Sequence, residues 1–100
     1  MATYKLSVLT PRGMVFEDEV SALVATGSEG QFGVLAGHAP MIVSTIPGLL
    51  KVSEEKDRFF AAGTELLEVS IEGVKLLADQ VTEYDSREEA AEAAKAIDPA

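Results

Sequence analysis

One hundred residues suffice for one domain with a single core, and apolar and charged fractions of 47% and 25% exclude wholesale disorder. A formal charge of −9, eight basic against seventeen acidic side chains, disfavours nucleic acid and anionic lipid as partners. The absence of cysteine excludes a disulfide scaffold and thiolate zinc sites, and a single histidine leaves few soft ligands for a transition metal.

No apolar run approaches the roughly 20 residues of a membrane helix, so no direct lipid insertion is expected. Met1 to Leu9 lacks the basic segment and long apolar stretch of a secretion signal, and the chain is expected to be soluble and cytoplasmic. The charge is uneven: residues 1–50 carry two basic and four acidic side chains, residues 51–100 six and thirteen.

In chain order, Tyr4, Leu6 and Val8 alternate with Lys5, Ser7 and Leu9, the period of a half-buried strand. Pro11-Arg12-Gly13 is a turn, and Met14 to Phe16 a short second strand. Glu17-Asp18-Glu19 is too charged for a core and belongs on a solvated edge or turn. Val20, Ala22 and Val24 alternate with Ser21, Leu23 and Ala25, with burial expected on both faces. In the run from Thr26 to Pro40, Gly27, Gly30, Gly33 and Gly37 mark backbone that turns through positive φ or packs closely.

Met41 to Ile46 is an apolar, β-branched strand closed by Pro47-Gly48. Leu49 to Ser53 and Arg58 to Ala62 flank the charged tip Glu54-Glu55-Lys56-Asp57. Leu66, Leu67, Val69 and Ile71 form a further strand ended by Glu72-Gly73, and Val74, Leu76 and Leu77 the next. Strands every eight to twelve residues with turns between them predict a sandwich or barrel.

The pattern changes at Ser86. Ser86-Arg87-Glu88-Glu89 fits a capping box, and the alanine-rich residues 87–97 favour helix. Ala90, Ala93, Ala94 and Ile97 share one face, and so short a helix needs something to lean on. Pro99 is expected to stop it.

Little in the chain suggests catalysis. The glycine run is not a phosphate loop: no Gly-Lys-Ser/Thr follows, and the next segment reads as strand. His38 has no partner that declares itself as nucleophile or orienting acid, so it reads as a structural or interface residue. Glu29 and Gln31 sit on a loop tip beside Phe32, which reads equally as contact residue or core. Glu54, Glu55 and Asp57 read as a solvated hairpin, without the cleft that paired-carboxylate chemistry needs.

The run Thr26-Gly27-Ser28-Glu29-Gly30-Gln31-Phe32-Gly33-Val34-Leu35-Ala36-Gly37-His38-Ala39-Pro40 closely resembles the signature of the epsilon subunit of bacterial F-type ATP synthases. The resemblance continues through Pro47-Gly48, Glu68-Val69 and Val74-Lys75-Leu76-Leu77-Ala78-Asp79, and covers about residues 3–97. It implies an all-β, flattened antiparallel sandwich of about ten strands at 1–84, followed by a short helical tail at 85–100. It also implies a non-catalytic central-stalk subunit, without cofactor, that links the gamma subunit to the c-ring on the cytoplasmic face of a bacterial plasma membrane. By position, Ser28, Glu29, Gly30, Gln31, Phe32 and His38 are the expected c-ring contacts, and Ala39, Pro40, Met41, Ile42 and Val43 the expected gamma contacts.

The chain departs from the family pattern in three places. Ala62-Gly63-Thr64-Glu65 replaces the usual pair of glycines before Glu-Val. The sequence ends at Ala100, short of the second helix, so inhibition of ATP hydrolysis by the C-terminal helices is not expected. Tyr84-Asp85-Ser86-Arg87-Glu88-Glu89-Ala90 displaces the arginine of the family's Ile/Leu-Asp-x-x-Arg-Ala motif, so no ATP site is expected. The alternatives are a free-standing sandwich that binds a small ligand or peptide at the glycine loop and, more remotely, an enzyme built around His38.

Overall fold

A computed structural model describes residues 2–97. It contains ten strands: β1 (Tyr4–Thr10), β2 (Gly13–Val20), β3 (Ala22–Gly27), β4 (Gly30–Leu35), β5 (Met41–Ser44), β6 (Gly48–Ser53), β7 (Asp57–Ala62), β8 (Glu65–Ser70), β9 (Gly73–Ala78) and β10 (Val81–Tyr84). One helix follows, α1 (Arg87–Lys95). The strands make two five-stranded sheets: sheet one in the order β2-β1-β9-β8-β5, sheet two in the order β10-β7-β6-β3-β4.

Three hairpins reverse by one device. Pro11-Arg12, Ser28-Glu29 and Ile71-Glu72 each form a two-residue tip, followed by Gly13, Gly30 or Gly73 at φ of 120°, 122° and 134°. Only glycine holds that region without strain, so the glycine after each tip, rather than the tip itself, carries the reversal.

The fold is the expected sandwich with several differences in detail, among them a β5 that ends at Ser44 rather than Ile46. β1 and β9 run parallel, which an all-antiparallel sandwich does not include. The chain between them passes through both sheets and is long enough for the crossover a parallel pair requires. The second strand is not the short Met14–Phe16 segment but extends to Val20, because Glu17, Asp18 and Glu19 lie on the exposed edge strand of sheet one. Charge on such an edge blunts unwanted pairing. Ile71 leaves its strand and sits fully exposed at the β8–β9 tip. In β3 the inward residues are Leu23 and Ala25, both 0% exposed, whereas Ala22 and Val24 are only half-buried on the outer face.

The core lies between the sheets. Leu6, Val8, Leu67 and Leu76 from sheet one meet Leu23, Val34, Leu50, Val52 and Phe60 from sheet two. Phe16 stacks on Phe60 with centroids 5.3 Å apart.

The helix starts as its sequence indicates. Ser86 Oγ accepts from the Glu89 amide at 3.1 Å, and Glu89 Oε1 accepts in turn from the Ser86 hydroxyl. Ala90 and Ala94 are buried against β6, β7 and β10, so α1 leans on the outer face of sheet two. The expected stop at Pro99 lies outside the described residues.

Candidate functional site

Strand direction sorts the loops onto two ends of the sandwich. The Ser28-Glu29 tip shares its end with Pro11-Arg12, Ile46-Pro47, Gly63-Thr64 and Asp79-Gln80. Backbone bonds tie these together: Ile46 N–H to the Thr26 carbonyl at 3.0 Å, and Gly63 N–H to the Gln80 carbonyl at 2.9 Å. The opposite end carries Gly37-His38, the Ile71-Glu72 tip and the Glu54–Lys56 turn.

The six expected c-ring residues therefore do not form one patch. Ser28, Glu29, Gly30 and Gln31 are exposed around one hairpin tip. His38 stands beyond the far end of β4, and a strand of that length separates the two by about 17–20 Å. Phe32 is half-buried and packs on the core, with its ring 3.3 Å from where a Cβ on Gly27 would stand. It serves as the floor under the hairpin, because residues of β4 alternate and Phe32 shares the inward phase with Val34.

His38 is exposed. Its amide donates to the Leu35 carbonyl at 3.1 Å, and its Nδ1 lies 2.8 Å from the Ala39 carbonyl oxygen. Beside it, the hydroxyl of half-buried Tyr4 donates to the Val34 carbonyl at 2.8 Å and staples β1 to β4. Burial pushes the Tyr4 phenol well above its ordinary range. Among the described residues, no carboxylate or nucleophile is hydrogen-bonded to the imidazole.

The expected gamma segment also divides by side. Met41 and Val43 turn inward against the core, while Ala39, Pro40 and Ile42 are exposed. Ile42, 68% exposed, lies on the outer face of sheet one. On the same face the register lines up Ser44, Leu66, Leu77, Leu9 and Met14 in one row across the sheet. Leu66, Leu77 and Met14 are 43%, 45% and 54% exposed. The adjacent row holds Ile42, Glu68, Lys75, Ser7 and Glu17, with Ser7 Oγ donating to Glu17 at 2.8 Å. Sheet two has its helix, whereas α1 leaves this face of sheet one bare.

Two clusters escape the sequence reading. At the edge where β2 meets β10, the Arg58 guanidinium lies 4.7 Å and 5.3 Å from the Phe16 and Phe60 ring centroids. It donates twice to Glu83 at 2.9 Å and once to Asp18 at 3.2 Å. These bonds hold the Glu83 carboxyl below its usual range and raise the arginine further. Glu54 stands 3.6 Å away, too far for a hydrogen bond, and desolvation together with Asp18 pushes its carboxyl up. The second cluster is Glu65, 4% exposed, which accepts from Thr45 Oγ1 at 2.9 Å. Its position in phase with Leu67 and Val69 is the sequence signal that finds it.

These features define a β-sandwich with one helix-covered face, one bare face crossed by an apolar row, a polar hairpin tip and, among the described residues, no clustered catalytic side chains around its histidine. Residues 3–84 match the family described as ATP synthase, Delta/Epsilon chain, beta-sandwich domain, and the chain belongs to that family. It is 36% identical over 103 residues to the ATP synthase epsilon chain of Bradyrhizobium sp. strain BTAi1, covering 95% of this chain and 71% of that one. With the Helicobacter pylori strain G27 epsilon chain it shares 37% over 102 residues, 97% of this chain and 83% of the relative. The fold matches a chain of the Euglena gracilis mitochondrial ATP synthase at a TM-score of 0.77 and 23% identity. That match covers 89% of this chain and 59% of the other, so the chain spans less than two thirds of that neighbour.

Proposed function

We propose that this chain is a non-catalytic rotor subunit of a proton-translocating F-type ATP synthase, joining the gamma subunit to the c-ring. It is a peripheral component of that complex, on the cytoplasmic face of a bacterial plasma membrane. Family membership over residues 3–84 is the observation that carries this reading. Two surfaces support the division of labour. The bare apolar row of sheet one, with Ile42 beside it in the adjacent row, is the gamma side, since apolar area buried against a partner supplies the larger share of affinity. The Ser28–Gln31 tip is the c-ring side, where exposed polar side chains and backbone make a smaller, wetter contact. His38, at the other end, is assigned to neither tip contact nor chemistry.

A close-packed body suits this task, because interiors at crystal-like density transmit strain rather than absorb it. Co-purification with isolated gamma tests the reading. A stable complex at micromolar concentration is expected, and no complex would overturn it.

A further inference from the structure

Glu65 begins β8 on its inward face, and the residue it holds starts a crossover between the sheets. Thr45, 3% exposed, donates its hydroxyl to Glu65 Oε1 and its amide to the Glu65 carbonyl, both at 2.9 Å. The next residue, Ile46, donates its amide to the Thr26 carbonyl at 3.0 Å, and Thr26 Oγ1 donates to the Leu49 carbonyl at 3.0 Å. Thr26 adjoins Gly27 at the base of the β3–β4 hairpin. A continuous series of contacts therefore runs from one buried carboxyl to the hairpin.

The charge that acts on this carboxyl among the described residues is Asp79, a like charge just past the end of β9. Asp79 lies directly over Gly63, where a Cβ would overlap its Oδ1. Among the described residues, no cation is placed to compensate Glu65.

We propose that Glu65 is a proton-operated latch: as the neutral acid it holds the β5–β6 crossover and the hairpin base closed, and as the carboxylate it loosens them. The Thr45 bond strengthens on ionisation, but one hydroxyl does not replace the lost hydration of a carboxylate. Water entry or outward movement of the crossover relieves the charge. Burial first, and Asp79 in addition, push the Glu65 carboxyl up to about 7, so the latch works near neutral pH. Between its ordinary range and that value the folded chain keeps a proton that the unfolded chain has released. Stability therefore falls as pH rises through this window and levels off above it.

The test uses the full chain, its Glu65→Gln variant, and both again with His38→Gln to remove the imidazole. With Glu65 present, the unfolding constant from urea titration is expected to be about tenfold larger at pH 8.5 than at pH 6. In Glu65→Gln, whose neutral amide does not titrate, it is expected to stay unchanged. The Ile46 and Gly30 amide resonances are expected to shift with a midpoint near 7, and to stay still in Glu65→Gln. An equal pH dependence in both proteins overturns the proposal. So does a carboxyl carbon resonance of Glu65 that titrates in the ordinary glutamate range, a reading on the wild-type chain that needs no variant to fold. Static amides during the carboxyl titration also overturn it. None of these outcomes bears on whether gamma or the c-ring is bound.

Discussion

At the scale of single residues, two glycines with the same backbone twist have different neighbours. Gly30 and Gly73 both sit at strongly positive φ, but a Cβ on Gly30 meets open space, while one on Gly73 would stand 2.6 Å from the Lys5 carbonyl oxygen. Gly30→Ala therefore carries backbone strain alone, about 1–2 kcal/mol, and Gly73→Ala adds a collision with the β1 backbone. The urea midpoint of Gly73→Ala is expected to fall clearly below that of Gly30→Ala, and equal midpoints would refute the account. Arg58 makes a similar case for side chains. Its fork spans Glu83 and Asp18 while its plane lies over two stacked rings, joining β7 of one sheet to β2 of the other. The carboxylates are nearly half exposed, so screening limits the gain, and Arg58→Ala is expected to cost about 2 kcal/mol in total. Arg58→Lys should recover little of it in denaturant titration, because an ammonium cannot bond both Glu83 oxygens in one plane. Full recovery would mean that charge alone matters there.

At the scale of elements, the helix shows how local signals and packing divide the work. Nine residues are too few to hold a helix in water, so the buried Ala90 and Ala94 and the Ser86 cap must act together. Ser86→Ala is expected to cost about 1 kcal/mol of local stability, read as a roughly fivefold faster amide exchange at Ala93 and Ala94 with the sheets unaffected. Unchanged exchange would show that packing on sheet two suffices. The strands divide the same way. Alternation in Glu65–Ser70 and Gly73–Ala78 is legible because one face meets the core and the other meets solvent. β4 is not picked out because Gly30 and Gly33 remove the side chains that would show the period, and β10 because its four residues are half-buried or exposed throughout. The sites follow suit. Glu29 and His38 look like one loop in sequence, since nothing in a glycine-rich run reveals that a full strand stands between them. The bare row of Leu66, Leu77, Leu9 and Met14 comes from four strands and needs the parallel β1–β9 pairing, which periodicity does not report.

At the scale of the whole molecule, a rotor coupling has to keep its two contacts independent in affinity and rigid in geometry. The bare face of sheet one and the Ser28–Glu29 tip of sheet two belong to different sheets, and the core between them includes Phe60 at 1% exposure and its neighbours. Ile42 is 68% exposed on a short edge strand, so Ile42→Lys leaves the fold within about 0.5 kcal/mol while placing an ammonium in the proposed gamma contact. Glu29→Lys reverses the charge at the exposed tip without touching that face. Ile42→Lys is expected to weaken gamma binding at least tenfold and leave attachment to the c-ring unchanged. Glu29→Lys is expected to do the reverse, and the doubly substituted chain to show the sum of both losses. Sites on different sheets that share no partner should couple by less than about 0.5 kcal/mol. Calorimetry with gamma and co-sedimentation with c-ring vesicles read the two affinities separately. If either substitution weakened both partners alike, the two contacts would share one surface, and a sandwich acting as a stiff spacer between them would no longer describe the chain.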